Sequence, residues 1–380
     1  MDLEGILYKE NVTNKTDISI MTPTLMGGGA EKVAVNLANH YANIGFNVDL
    51  VVFTRLAQYQ SLISNKVTLI NLNASRTSYA FFKVRGYLKK NKTALILSVI
   101  CNSNVIVGLA SFGLKLKSIT FREANTLDGF INRGKVRWFI QKTLMKISYT
   151  KANNVIANSD DTKYDLIKNE ICKSEKIRVI RNPVLAPDFE ELKLDEPKEE
   201  WFSQPENKVI LSVGRLDVQK NHSFLIASFK DIYQKSPNAR LVIVGDGNEK
   251  DNLLSLISKN GLSEVVKLVP FQRNIYPYYY NSDVFALSSD WEGFGNVLVE
   301  ALSVGLPIVS TNCPGGPKMI LKGGEYGALT PLGDKKSYVS ALLKILEKPE
   351  KNKKSIVYAK IFTVESVAKD YLKILKGKST

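Results

Sequence analysis

The chain has 380 residues and carries 52 Lys plus Arg against 37 Asp plus Glu, a formal charge of +15, with 44% hydrophobic residues and two histidines. At about 100–200 residues per domain the length predicts two domains, and the apolar fraction is that of packed cores, which excludes a disordered tail protein. Three cysteines (Cys101, Cys172, Cys313) without a C-x-x-C pair, and only His40 and His222, exclude a disulfide framework, a structural zinc site and a multi-histidine metal centre, and make a Ser-His-Asp hydrolase a weak reading.

The amino terminus, MDLEGILYKENVTNKTD, has acids where a secretion signal needs a basic stretch, so no such signal is expected. Asp17–Thr22 reads as a strand running into Gly27-Gly28-Gly29, and Ala30–Ile44 as a helix stopped by Gly45. Val48–Thr54 and Val67–Leu72 read as short buried strands. Thr93–Leu114 is uncharged and long enough to span a bilayer, but Asn102, Ser103 and Asn104 interrupt it. It is read as a strand, Ala94–Cys101, followed by a helix, Val105–Leu114. Phe81–Lys92 and Arg133–Tyr149 mix cations with apolar and aromatic side chains. In the second, Val136, Phe139, Ile140, Leu144 and Ile147 fall at helical spacing, while Lys135, Arg137, Lys142 and Lys146 lie largely off that stripe. The expectation is a core-facing stripe with a solvated basic back, in preference to a helix lying on an anionic membrane.

Val155–Ala157 is a further strand, and Ser159-Asp160-Asp161 caps a helix through Lys168. From Asn182 to Lys208 four prolines (Pro183, Pro187, Pro197, Pro205) and an acidic run mark an interdomain connection. The alternation then restarts, with strands at Val209–Val213, Leu241–Val244, Val265–Val269, Val284–Leu287 and Pro307–Ser310 and helices such as His222–Gln234 and Glu249–Lys259. Tyr276–Tyr280 suggests a nucleic-acid stacking platform only in isolation; between strands it reads as helix packing. Such alternation predicts an α/β chain with two doubly wound parallel sheets in tandem. The charge is divided unevenly between them. The 18 Lys and Arg from Lys32 to Ser159 meet only Asp49, Glu123 and Asp128, so all the excess positive charge lies in the first half. That field attracts nucleic acid, anionic lipid or phosphorylated substrates.

Open sheets bind ligands beyond the carboxyl ends of their strands. Three candidate sites fall there. Gly27-Gly28-Gly29 enters a helix whose amides and dipole suit a phosphate, although a tight turn explains a glycine run equally well. Gly214-Arg215 ends a strand, with Gln219-Lys220-Asn221 at the next helix start, so that a planar fork and a point charge face one place, as a diphosphate requires. Glu292-Gly293-Phe294-Gly295-Asn296 follows a strand and opens a helix carrying Glu300, and two carboxylates flanking a glycine loop suit a sugar and a ribose with phosphate between them. No complete G-x-G-x-x-G follows a strand, no Walker-type P-loop is present, and no D-x-D occurs.

The E-x7-E spacing of Glu292 and Glu300, G-R-x4-K from Gly214 to Lys220, G-G-A-E at Gly28–Glu31, A-N-S-x5-D-L at Ala157–Leu166 and N-P-V at Asn182–Val184 together resemble the retaining glycosyltransferases of family 4, over nearly the whole chain and in the family's order. The resemblance implies the GT-B fold, two Rossmann-like domains facing across a cleft: an acceptor-binding, membrane-facing domain over 1–190, a linker over 191–207, a nucleotide-sugar domain over 208–360 and a terminal helix over 361–380 packing back on the first domain. It assigns Arg215 and Lys220 to the donor diphosphate, Glu292 to the donor sugar, Glu300 to the ribose, and the Gly28 and Gly29 amides to the phosphates from the opposite side. Gly293, Phe294, Gly295 and Asn296 complete the donor site, with Glu292, Arg215 and Lys220 carrying catalysis by front-face displacement. Neither His40 nor His222 occupies the place of the acceptor-pocket histidine of many relatives, and Asn104, Arg122 and Glu123 are expected on the acceptor side. The implied activity moves a hexose or N-acetylhexosamine from a UDP-sugar to a lipid-diphosphate-linked glycan in bacterial surface polysaccharide (O-antigen, capsule or lipopolysaccharide) synthesis. It needs no metal or cofactor and no nucleic acid, and it takes place on the inner face of the cytoplasmic membrane by peripheral attachment to an anionic surface. The alternatives are an epimerase or glycolipid-forming enzyme of the same fold, and a basic nucleic-acid-binding protein.

Overall fold

A computed structural model of the chain describes residues 15–54, 59–127 and 134–377. The amino-terminal stretch up to Asn14, and with it Asp128 and Arg133, lies outside the described residues.

Among the described residues two sheets, each with all its strands parallel, carry the fold. The first has seven strands in the order β3-β2-β1-β4-β5-β6-β7. They are β1 (Ile18–Thr22), β2 (Val48–Val52), β3 (Thr68–Asn71), β4 (Leu95–Ser98), β5 (Ser118–Glu123), β6 (Asn154–Ala157) and β7 (Ile177–Val179). Side chains alternate across a strand, so β1 points Ile18 and Ile20 to one face and Met21 to the other, and helices cover both. Helices Gly29–Asn43 and Val364–Leu375 cover the first face; Phe81–Lys90, Cys101–Ala110 and Lys135–Tyr149 cover the second. The second sheet has six strands in the order β10-β9-β8-β11-β12-β13. These are β8 (Lys208–Val213), β9 (Ala239–Val244), β10 (Val266–Val269), β11 (Val284–Leu287), β12 (Ile308–Thr311) and β13 (Ala328–Thr330). The chain forms a GT-B fold, two Rossmann-like domains across a cleft.

The segment joining the sheets is packed. Val184, Leu185, Phe189 and Trp201 enter the core of the second sheet together with Tyr276, Tyr278 and Tyr279, which lie on helix Tyr276–Asn281. The chain crosses back beside it, where Val184 and Leu185 donate to Phe362 O and Val364 donates to Leu185 O. Helix Val364–Leu375 then buries Val367, Ala368, Tyr371, Ile374 and Leu375 against the first sheet.

One reading is corrected and three strands are added. Arg122 and Glu123, expected on the acceptor side, lie in β5, whose six residues are all buried although the strand carries Ser, Thr, Arg and Glu. Strands β7 and β13, three residues each, have too few apolar positions to show a period. The apolar stripe of Lys135–Tyr149 does not face the core along its length. Val136, Phe139, Ile140 and Ile147 are exposed, and only Met145, Ser148 and Tyr149 are buried. The reason is where this helix meets its neighbour Cys101–Ala110. A Cβ on Gly108 would lie 2.6 Å from Ser148 Cβ, so the two helices touch closely at this end, while in the amino-terminal turns contact is made through Trp138 and Gln141 and leaves Val136, Phe139 and Ile140 outside. Thr93–Leu114 forms β4 and the whole of helix Cys101–Ala110, and among the described residues no helix is long and apolar enough to cross a membrane.

Candidate active site

Strand order reverses between β1 and β4 in the first sheet and between β8 and β11 in the second, and each reversal opens a crevice beyond the strand ends. The glycine turn follows β1; Gly214-Arg215 follows β8; Glu292 follows β11. The two crevices meet as one interdomain cavity of about 600 Å³, lined by Gly28, Gly29, Arg215, Lys220, Glu292, Gly293, Phe294, Gly295, Asn296 and Glu300.

On the second domain, Asp217 caps a short turn by accepting from the Lys220 amide, and this lifts the lysine toward the β11 loop. Lys220 Nζ lies 2.5 Å from Glu292 Oε1, which also accepts from Ser289 Oγ at 2.6 Å. Gln219 donates to Trp291 O and Asn221 to Asp290 Oδ1, tying the two loops together. Arg215 remains exposed at the cleft, its guanidinium 3.0 Å from Asp217 Oδ2. Gly293 is a close-approach glycine: a Cβ there would sit 1.9 Å from the Ala124 carbonyl oxygen of the other domain. Gly295, with φ +95°, turns the chain into helix Asn296–Ser303. Glu300, on that helix, is 4% exposed and accepts from Tyr279 OH at 3.0 Å.

On the first domain, Glu31 Oε2 accepts from the amides of both Gly27 and Gly28 at 2.9 Å. The Gly28 amide, expected to meet a phosphate, is here bonded within its own turn, and Gly28 lines the cavity. Gly29 faces the opposite helix, where Asn296 Nδ2 donates to its carbonyl at 3.3 Å. Lys32, one turn further along, meets Glu300 Oε1 at 2.7 Å. Sequence reasoning missed Lys32, whose partner is 268 residues away. It also missed the Gly245-Asp246-Gly247 turn, which lines the cavity directly after a strand that had been read correctly, so the rule of strand ends held the signal.

The family description "glycosyl transferases group 1" matches residues 195–362 and "glycosyltransferase family 4" matches residues 27–185. The chain belongs to the family 4 glycosyltransferases. One relative, the N-acetylgalactosamine-N,N'-diacetylbacillosaminyl-diphospho-undecaprenol 4-alpha-N-acetylgalactosaminyltransferase of Campylobacter jejuni, is 28% identical over 378 residues, 95% of this chain and 99% of its own. The Staphylococcus aureus capsular polysaccharide biosynthesis glycosyltransferase CapM is 27% identical over 311 residues, covering 77% of each. Among solved structures, Anabaena HepE in complex with UDP-glucose superposes with a TM-score of 0.78 at 21% identity, covering 95% of this chain and 99% of that one.

Of the three residues expected on the acceptor side in this glycosyltransferase, Arg122 borders the cavity and Asn104 and Glu123 are buried beside it. Asn104 (0% exposed) and Glu123 (2%) do not line the cleft. The Glu123 carboxylate turns inward, where Oε1 accepts from Asn104 Nδ2 at 2.8 Å and from the Tyr149 hydroxyl. Arg122 borders the cavity, yet its guanidinium is consumed by Tyr371 OH, Val99 O and Asn182 Oδ1. His40 and His222 are also absent from the lining, and burial, reinforced by the Lys220 charge, pushes His222 down to about 3, which leaves it neutral.

Burial pushes the Glu123 carboxyl up to about 7, against the lowering effect of the Tyr149 and Asn104 hydrogen bonds and the Arg122 charge. A raised folded-state value means that the folded protein favours the protonated form. This stabilisation is therefore complete below the unfolded value near 4.5 and is lost as pH rises to about 7. Glu123→Gln, neutral throughout, is expected to be more stable than the parent by about 3 kcal/mol at pH 8 and by far less at pH 4.5. Urea melts at the two pH values check this, and equal differences at both would rule it out.

Proposed function

We propose that this glycosyltransferase transfers a hexose or N-acetylhexosamine from a UDP-sugar, with retention, to a lipid-diphosphate-linked glycan in bacterial surface polysaccharide assembly. One observation carries the donor reading: two cations, Arg215 and Lys220, two buried carboxylates, Glu292 and Glu300, and a helix-opening glycine loop share a single cavity between domains. Diphosphate charge developing on departure would meet positive groups already in place, and preorganised charge is the largest rate term available to such a site. Arg215, exposed and held only at its edge by Asp217 and Gln219, is free to fork onto phosphate oxygens. With that neutralisation supplied by side chains, the reaction is metal-independent. The relatives' names support the acceptor class.

The surface of the first domain supports a peripheral membrane position on an anionic inner leaflet. Val136, Phe139 and Ile140 are exposed beside Lys135, Arg137 and Lys142, and Phe82, 80% exposed, stands beside Lys83. The two helices bearing them flank Cys101–Ala110 on one side of the sheet, so apolar wedges and cations face outward together. Each cation near the surface contributes about 1 kcal/mol to adsorption.

The test is release of nucleotide from a panel of UDP-, GDP- and ADP-sugars, with and without lipid-diphosphate acceptors and in EDTA. Acceptor-dependent UDP release that persists in EDTA and falls about 100-fold in Arg215→Ala is the expected result. GDP or ADP release, or an unchanged Arg215→Ala, overturns the reading. In parallel, the protein is expected to sediment with phosphatidylglycerol vesicles in a salt-sensitive way and not to be retained on DNA. The Phe139→Glu, Ile140→Glu variant should stay in solution.

A further inference from the structure

The glycine-turn helix of one domain and the Glu300 helix of the other abut across the cleft at two rungs. Asn296 reaches Gly29 O at 3.3 Å, and Lys32 reaches Glu300 Oε1 at 2.7 Å. Gly29 and Lys32 are spaced i, i+3, and Asn296 and Glu300 are spaced i, i+4, so each pair lies on one face of its own helix. The first rung is anchored by Asn182 Nδ2 on Asn296 Oδ1 at 2.8 Å. In the second, the Glu300 carboxylate is held at both oxygens, Oε1 by Lys32 and Oε2 by Tyr279 OH at 3.0 Å. A carboxylate has about four lone-pair directions, so one donor on each oxygen leaves one direction per oxygen. The side chains of Lys32 and Glu300 are 23% and 6% exposed, and both residues line the cavity.

We propose that Lys32 is a positioning residue for the donor: from the opposite domain it fixes the Glu300 carboxylate so that its two remaining lone pairs meet the vicinal hydroxyls of the nucleotide ribose. This rests on the reading of the cleft as a nucleotide-sugar site. The consequence is that ribose recognition exists only when the two domains are docked, because the ammonium belongs to one and the carboxylate to the other. Without Lys32 a nearly buried carboxylate keeps a single neutral donor, and its aim at the diol is lost. A plain interdomain tether would behave differently, since it would affect every nucleotide alike.

Binding of UDP and of 2′,3′-dideoxy-UDP, measured by calorimetry on the full chain, separates these cases. The parent is expected to bind UDP about tenfold more tightly than the dideoxy form. Lys32→Met should lose about tenfold in UDP affinity with the dideoxy affinity unchanged, so that the discrimination disappears. Lys32→Arg, which keeps a charged donor and serves as the folding control alongside thermal melts, should restore most of it. Glu300→Gln should match Lys32→Met. If Lys32→Met still discriminates as the parent does, or weakens both nucleotides equally, Lys32 does not position the ribose carboxylate. If the parent itself binds neither nucleotide, the nucleotide-sugar reading of the cleft fails first and takes this inference with it.

Discussion

Lys220→Met is expected to lower kcat/KM by about 10²–10³-fold, the usual result of removing one group that stabilises developing charge, and to destabilise the fold as well. The two effects come from one contact. Lys220 and Glu292 pair at 2.5 Å with side-chain exposures of 13% and 6%, and Ser289 is the other donor to the same Glu292 oxygen. Methionine fills the volume but strands a carboxylate in a nearly dry place, which costs about 3–5 kcal/mol when one partner of a buried pair is removed. Adding Glu292→Gln to Lys220→Met removes the stranded charge, so the double variant should recover most of the lost stability while activity stays at the floor. Chemical melts and nucleotide-release rates on the three proteins read this split. A Lys220→Met enzyme within threefold of the parent would sink the assignment of Lys220 to the leaving diphosphate, and a double variant as unstable as the single would sink the ion-pair account.

Arg122→Leu is expected to be strongly destabilising. Arg122 heads the order by volume of fully buried side chains. Its Nε donates to Tyr371 OH at 3.0 Å, one terminal nitrogen to Val99 O at 3.2 Å and the other to Asn182 Oδ1 at 2.6 Å. Leucine strands three buried acceptors at about 1–3 kcal/mol each. At roughly 2–4 °C per kcal/mol the melting midpoint should fall by about 10 °C or more. Because Asn182 also holds Asn296, which touches Gly29, the loss should reach the donor as weaker nucleotide binding. Arg122→Lys keeps the charge without the planar fork and should fall between the two. A midpoint for Arg122→Leu within two degrees of the parent would show that the three bonds carry no net stability.

Arg122 also shows where reading the chain in order stopped working. In sequence Arg122 and Glu123 read as a turn on the acceptor side, and no strand is read over Ser118–Glu123. What makes it a strand is parallel pairing with β4 and β6, and what lets the Arg122 guanidinium be buried is a set of acceptors at Val99 just past β4, at Asn182 and at Tyr371, 249 residues away. The helix Lys135–Tyr149 failed in the opposite sense. Its apolar spacing is that of a buried face, and nothing local reveals that contact at Gly108 and Ser148 leaves Val136, Phe139 and Ile140 in the open. The loops that line the cleft, by contrast, are legible in the sequence as they stand. A strand, a glycine turn and a helix start are each specified by residues a few positions apart, and parallel sheets put such turns at a common edge.

Local chemistry along the chain was thus enough to specify the alternating strands and helices, the two sheets, and the Arg215, Lys220, Glu292 and Glu300 positions. Folding settled which charges meet: Lys32 with Glu300, Lys220 with Glu292, and Glu123 with a buried tyrosine. A backbone period is encoded by neighbours, whereas the energy of a charged side chain depends on how much water it loses and which partner replaces that water. Both of those are properties of residues far apart in the chain.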